Sequence, residues 1–339
     1  MPYRIERIGD FGLDGLGEIS AELRRNGLLL DSPIAPALSV GVYTCRKAPH
    51  KLQLDARVGR AKPQSIFALS VNGHQSEMYR MRALMLAAGL GSRLGNSTTH
   101  GAPKVLLPFG GESLLSRHIG ILKRHGIGQL VLGVGFKKER IEQEISALGA
   151  QNFVTTVFNP DFDAGSIVTL WTLREEMCRG GPVLLMDADV LYHEEIVLRL
   201  ATSNHRNCLL LDRNAALDDE AVKVCVRNGE IVEFRKWVSV DADTRGESVG
   251  FFKLSASGAK GLMDQTQLYI EQGRHADPYE EPVRDVLLTS GHGVYGYEDI
   301  TGLPWIEIDT ADDFARARSE VFPLITDMTW STSGTSARD

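Results

Sequence analysis

No stretch of this sequence approaches the roughly 20 consecutive apolar residues that a membrane-spanning helix requires, so no membrane association is expected. Cysteine is scarce: Cys45, Cys178, Cys208 and Cys225 are scattered, without a CxxC pair or a histidine at ligand spacing. That argues against a disulfide framework or a zinc site and favours reduced thiols. There is no excess of positive charge, since 37 Lys and Arg face 44 Asp and Glu for a net charge of −7. Nucleic acid is therefore not an expected partner, because that binding needs a basic surface to displace counterions. The opening residues lack the charged-then-apolar build of a signal peptide, and a soluble cytoplasmic protein is expected.

What is present is the composition of a packed globular chain long enough for one large domain or two ordinary ones. Residues 1–80 carry no chemical motif and are expected to be an extension of uncertain fold. One helix is predicted over 17–26, and short strands within "SPIAPALSVGVYTC" and "SIFALSVNG". From Arg82 the pattern sharpens. Apolar strands ("RALMLAA", "QLVLGVG", "NFVTTVFN", "GPVLLMDADV") alternate with amphipathic helices ("SLLSRHIGILKRHG", "KKERIEQEISALG", "SIVTLWTLREEM", "HEEIVLRLATS"). This alternation predicts an α/β fold with a mostly parallel sheet covered on both faces. Further on, "CLLLDR", "AVKVCVRNGEIVEFRKW" and "SVGFFKLS" read as strands joined by short turns, with "RNGE" as a hairpin signal. A small antiparallel flap is expected beside the parallel sheet. "ASGAKGLMDQTQLYIEQG" and "TADDFARARSEVF" read as helices and "WIEIDT" as a last strand. The domain is expected over 81–325, with a disordered polar tail over 326–339.

The first strand runs into "RALMLAAGLGSRLG". Gly89, Gly91 and Gly95 are spaced G-x-G-x-x-x-G, one residue too long for the dinucleotide fingerprint, and a polar loop follows where that fingerprint opens a helix. No G-K-[ST] follows either, so the P-loop reading also fails. What remains is a loop whose backbone can approach phosphate oxygens at Gly89 and Gly91, flanked by the fixed cations Arg93 and Lys104. Such cations suit the splitting of a triphosphate, which needs charge neutralised around the breaking bond.

Leu86, Ala87, Ala88, Gly89, Gly91, Ser92, Arg93 and Leu94, then Pro103, Lys104 and Leu106, match L-x-A-A-G-x-G-[ST]-R-[ML] followed by P-K-x-L. The segment thereby resembles the nucleotidyltransferases that join a nucleoside triphosphate to a sugar phosphate or alcohol phosphate. The resemblance implies a Rossmann-like nucleotidyltransferase fold, with the loop, Phe136 and Ser166 on the nucleotide.

Such chemistry needs Mg2+ held by hard oxygen ligands. "VLLMDADV" places Asp187 and Asp189 at the C-terminal end of an apolar strand, the edge where ligands bind in open α/β sheets. Strand alternation would point both to one face. Two carboxylates that merely open a turn are the plain alternative. A second pair with the same spacing, Glu307 and Asp309 in "WIEIDT", favours convergence on one metal, and the resemblance assigns the metal to the position of Asp189 and to the late pair.

"VGFKKERIEQEI", with Phe136 for a usual tyrosine, and "FNPDFDAGSIVTLWTL", matched at Asn159, Phe162, Thr169, Leu170 and Trp171, resemble the branch acting on phosphocholine and 2-aminoethylphosphonate. Ser166 stands for a usual asparagine and Thr169 for a usual serine. The resemblance puts Asn159, Thr169, Lys236 and Glu247 on the acceptor. The reaction so implied is attack of an acceptor phosphate or phosphonate oxygen on the α-phosphorus of CTP, with release of pyrophosphate. Arg93 would hold the β,γ-phosphates, Lys104 the α-phosphate and Lys236 the acceptor. Phosphocholine-, aminoethylphosphonate-, hydroxyethylphosphonate- and inositol-phosphate-like acceptors all fit, and a homodimer is compatible. A sugar-1-phosphate uridylyl- or guanylyltransferase and a non-catalytic nucleotide-binding regulator remain alternatives. Trp171, Tyr192, Trp237, Phe251 and Trp305 could form an aromatic cage for an ammonium, although buried aromatics are more often core. Lys223 and Lys253 read as solvated strand faces.

Overall fold

In the computed structural model the chain is described over residues 41–48, 51–58, 70–71, 81–95, 101–214 and 221–327. Contacts separate it into two compact units, Met1–Glu77 and Met78–Asp339. In the first, Gly41–Ala48 pairs antiparallel with Lys51–Val58 and parallel with Ser70–Val71. The helix predicted over 17–26 lies outside the described residues, as does the tail from 328 onward.

The second unit is built on seven strands: β1 Arg82–Ala87, β2 Gln129–Val134, β3 Val154–Phe158, β4 Val183–Asp187, β5 Cys208–Leu211, β6 Phe251–Leu254 and β7 Gly296–Asp299. Their order across the sheet is β7-β5-β6-β4-β1-β2-β3. Only β6 runs against its neighbours; the other strands share one direction. The parallel sheet is therefore confirmed, with one antiparallel strand set into it.

The continuous apolar runs of the strands follow from burial on both faces. On one face Ala83, Met85, Leu130, Leu132, Leu184 and Met186 pack against helices α1 Leu114–Arg124, α2 Lys138–Ala147 and, further along in sequence, Glu195–Thr202. On the other, Leu84, Val131, Val183 and Leu185 meet α3 Ser166–Thr172 and two later helices, α4 Ala256–Glu271 and α5 Glu280–Thr289. α1 is capped by Ser113, whose hydroxyl accepts the Ser116 amide at 3.0 Å. The segment "SIVTLWTLREEM" is broken at Leu173 into α3 and a short helix, Arg174–Cys178.

Two smaller assemblies sit at the sheet's C-terminal edge. Lys223–Arg227, Glu230–Arg235 and Thr244–Glu247 form the expected antiparallel flap. Its hairpin turns at Asn228 and Gly229, both with positive φ (53° and 79°), as a tight hairpin of this kind demands. "CLLLDR" and "SVGFFKLS" do not belong to the flap; as β5 and β6 they extend the main sheet. A two-stranded ribbon pairs Val190–Tyr192 antiparallel with Trp305–Glu307.

Candidate active site

Strand β4 ends at Asp187, and the chain turns through Ala188 and Asp189 before entering the ribbon. The alternation expected to carry Asp187 and Asp189 to one face thus stops one step short. The ribbon instead sets Asp189 beside the late acid pair, with the Ile308 amide donating to the Asp189 carbonyl at 3.0 Å. Carboxylate oxygens of Asp189, Glu307 and Asp309 lie within 4.8 Å of one another. Asp187 stands outside that group, its Oδ2 accepting the Tyr279 hydroxyl at 2.6 Å.

The signature loop reaches the same place. Gly91 adopts φ 61°, and a Cβ there would come within 3.1 Å of the Lys104 stem, so the loop lies directly on that side chain. A short 3-10 turn, Lys104–Leu106, follows Pro103 and buries Val105. Lys104 Nζ donates to Asp189 Oδ2 at 2.8 Å and to Asp309 Oδ1 at 2.5 Å. Arg93 donates to Asp309 Oδ2 at 2.9 Å.

Packing explains this convergence. Leu94 and Leu107, each next to or near a cation, share one apolar cluster with Ile306 and Ile308, which alternate with the two acids. Period-two alternation sends the isoleucines inward and Glu307 and Asp309 toward the loop. One hydrophobic cluster therefore registers both cations against the acids.

The charges perturb one another. Burial works against the Lys104 ammonium, but Asp189 and Asp309 outweigh it and hold it above the ordinary lysine range. Burial would likewise raise the Asp309 carboxyl; Lys104 and Arg93 overcome that and hold it below the usual value. Glu307, exposed at the rim of the cleft, is pushed up by partial loss of solvent around its carboxyl and by the neighbouring charges of Asp189 and Asp309. Asp187 is raised by burial and by Asp189, Glu280 and Glu307, against the bond from Tyr279.

These groups line a cleft of about 870 Å³. Leu86, Ala87, Ala88, Gly89, Gly91 and Ser92 form one wall, and Ser166, Thr169, Lys236 and Glu247 also face it. Phe136 and Asn159 are not among the lining residues. The Phe136 amide donates to the Ala88 carbonyl at 3.0 Å, bracing the loop from behind. Asn159 is fully buried, donating to Thr169 Oγ1 at 3.1 Å. Of the aromatics, Trp305 lines the cleft and donates to Asp212 at 2.9 Å, Tyr192 and Phe251 are core, and Trp237 is exposed. Lys223 and Lys253 are not merely solvated: Lys223 donates to the Lys236 carbonyl at 2.8 Å, and Lys253 to the Ser203 carbonyl at 2.8 Å.

Several lining residues carried no signal in the sequence. Tyr279 and Glu280 enter from the start of α5, with the Tyr279 amide donating to Ser166 Oγ at 3.0 Å. Glu280 Oε2 is buried without a hydrogen-bond partner, and burial raises its carboxyl. Behind the acids, His118 is wholly buried. Its Nε2 faces the Ala188 carbonyl at 3.1 Å and its Nδ1 the Tyr192 hydroxyl at 3.2 Å. A carbonyl can only accept, so Nε2 carries the proton and Nδ1 accepts from Tyr192. This pair fixes the peptide between Asp187 and Asp189.

Residues 83–228 match a MobA-like NTP transferase domain, and that stretch holds the loop, Lys104 and Asp189. The chain is 26% identical over 249 residues to a CMP-5'-(3-aminopropyl)phosphonate synthase of Streptomyces rubellomurinus, covering 70% of this chain and 38% of that protein. A bifunctional IPC transferase and DIPP synthase of Rubrobacter xylanophilus is 27% identical over 255 residues, 74% of this chain and 53% of that protein. The chain thus spans about half or less of these curated relatives. Among solved structures, the inositol-1-phosphate CTP transferase from T. maritima superposes with a TM-score of 0.57 at 22% identity, covering 76% of this chain and 98% of that one. That likeness confirms the Rossmann-like nucleotidyltransferase fold. Among the described residues no helix is long and apolar enough to cross a membrane.

Proposed function

We propose that this protein is a nucleotidyltransferase that joins CMP from CTP to a small alcohol phosphate or phosphonate and releases pyrophosphate. The observation that carries the reading is the convergence of Arg93 and Lys104 with Asp189, Glu307 and Asp309 in one cleft. CTP is favoured because one cited relative is named for a CMP-linked phosphonate and the solved neighbour for CTP transfer. A non-catalytic regulator would be expected to have lost a cation or an acid, and both sets are retained.

The three carboxylates supply hard oxygen donors close enough together to suit Mg2+, which takes oxygen ligands in a compact octahedral shell. Asp189, Glu307 and Asp309 would hold it, and the ion would supply charge neutralisation on the phosphates. The chain's own residues do the rest. The Gly89–Gly91 backbone receives phosphate oxygens. Arg93 holds the β,γ-phosphates, and Lys104 follows the charge developing at the α-phosphate. Lys236, from the flap, orients the acceptor phosphate or phosphonate, with Thr169 and Glu247 on its remaining groups. The acceptor is anionic at neutral pH, so positioning and charge suffice and no general base is required.

The deciding experiment crosses the four nucleoside triphosphates with phosphocholine, 2-aminoethylphosphonate, 2-hydroxyethylphosphonate, inositol phosphate and glucose-1-phosphate, reading pyrophosphate release with Mg2+. CTP with a non-sugar acceptor should give the highest kcat/KM. Preference for UTP or GTP with glucose-1-phosphate would overturn the reading. Lys104→Ala should lower kcat by about 10²–10³.

A further inference from the structure

Lys236 and Glu280 face the cleft from two elements far apart in sequence, the flap and helix α5. Beside them stand two reciprocal ion pairs. Arg235 donates from Nε and Nη2 to both oxygens of Glu281, at 3.1 and 2.6 Å. Arg284 donates from Nε and Nη2 to both oxygens of Glu233, at 2.6 and 2.9 Å. Each strand-borne residue thus meets an α5 residue of opposite charge, and the two pairs run in opposite senses. Two-point guanidinium–carboxylate contacts fix orientation as well as distance. The inner pair is well sheltered, with Arg284 and Glu233 side chains 21% and 12% exposed.

The placement of these four side chains relative to the cleft is the informative part. Arg235 precedes Lys236, and Glu281 follows Glu280. Any slip of the flap along α5 would change the separation of the two cleft-facing groups. The Lys236 backbone is also tied by Lys223 within the flap, so the clasp adds a side-chain tether to α5 that the flap's own strand pairing does not provide.

We infer that Glu233, Arg235, Glu281 and Arg284 form a charged clasp that positions Lys236 and Glu280 at the acceptor end of the cleft. They are positioning residues, and the inference rests on the transferase reading above. Its consequence is selective: the clasp governs the acceptor, while the nucleotide end, built on the signature loop, is independent of it.

The test uses the full chain. The double variant Arg235→Ala/Arg284→Ala should exchange the amides of residues 230–237 at least about tenfold faster in native-state hydrogen exchange, because local opening no longer breaks the ion pairs. Its acceptor KM should rise about tenfold, which corresponds to about 1.4 kcal/mol, with the CTP KM changed less than about twofold. Arg235→Glu combined with Glu281→Arg should restore both readouts relative to either single change. Unchanged flap exchange, a parallel rise in both KM values, or failure of the reversed pair to rescue would each overturn the clasp. If the wild-type chain turns over no triphosphate–acceptor pair, the transferase reading fails, and the exchange measurement still decides whether the ion pairs hold the flap.

Discussion

Lys104 sits between two carboxylates that are also proposed to hold a metal, so its ammonium and a divalent cation compete for the same negative charge. Replacing it by Met keeps the apolar stem, which lies under Gly91, and removes only the charge. The ammonium donates two charge-assisted hydrogen bonds, at 2.8 and 2.5 Å, and the groups are 16% to 22% exposed. Such a bond contributes about 1.5–3 kcal/mol when sheltered. At the lower bound, the two amount to about 3 kcal/mol that a cation must offset, about two orders of magnitude in affinity. Relaxation and residual solvent reduce this, so Lys104→Met should bind Mn2+ about ten- to a hundredfold more tightly than the wild type without nucleotide. Titration followed by electron paramagnetic resonance reads this directly. Equal or weaker Mn2+ binding in the variant would refute the idea that the lysine competes at Asp189 and Asp309.

The two loop glycines should behave differently. A Cβ at Gly89 meets no protein atom, so Gly89→Ala should leave Tm unchanged while raising the CTP KM; at Gly91, where φ is positive, alanine should cost about 1–2 kcal/mol of stability in thermal unfolding. Burial lowers the His118 pKa from 6.5 to about 4. Its neutral form is the folded one, so its contribution is intact above pH 6.5 and declines as pH falls toward 4, by about 1.4 kcal/mol per unit. Stability–pH curves of wild type and His118→Gln should therefore diverge in slope over that window, and parallel curves would sink the assignment. Gly250 has φ 75° and a Cβ there would run into the Asp187 carboxylate, so Gly250→Ala should lower both Tm and turnover.

The parallel core was legible because two-sided burial writes itself as unbroken apolar strands. The loop with Arg93 and Lys104, and both acid pairs, were legible because each is a short local pattern at a strand end. Three things were not. Helix α5 is opened by "YEEPVRD", where Pro282 in the first turn is compatible with a helix but reads as a breaker. Strand β7, "GYED", is a sheet edge of mixed polarity without alternation. Asp189 was expected to share a strand face with Asp187, yet it belongs to the turn, and its neighbours are decided by a ribbon partner more than a hundred residues later. Asn159, read as an acceptor contact, is fully buried, donating to Thr169 Oγ1 and accepting the Asp161 amide, so any bearing on the acceptor would pass through Thr169.

The ribbon also makes assembly order a property of this site. Arg93 and Lys104 are separated from Asp309 by 216 and 205 residues, so their contacts close among the longest loops in the molecule. Loop closure of this span costs little extra stability but slows folding. A chain emerging from the ribosome can finish β1 to β4 and present a glycine loop, two cations and Asp189 while the second acid pair is still unmade. The sheet core thereby becomes a scaffold before it becomes a reaction centre, and a chain cut short before residue 305 would keep much of the architecture without the chemistry.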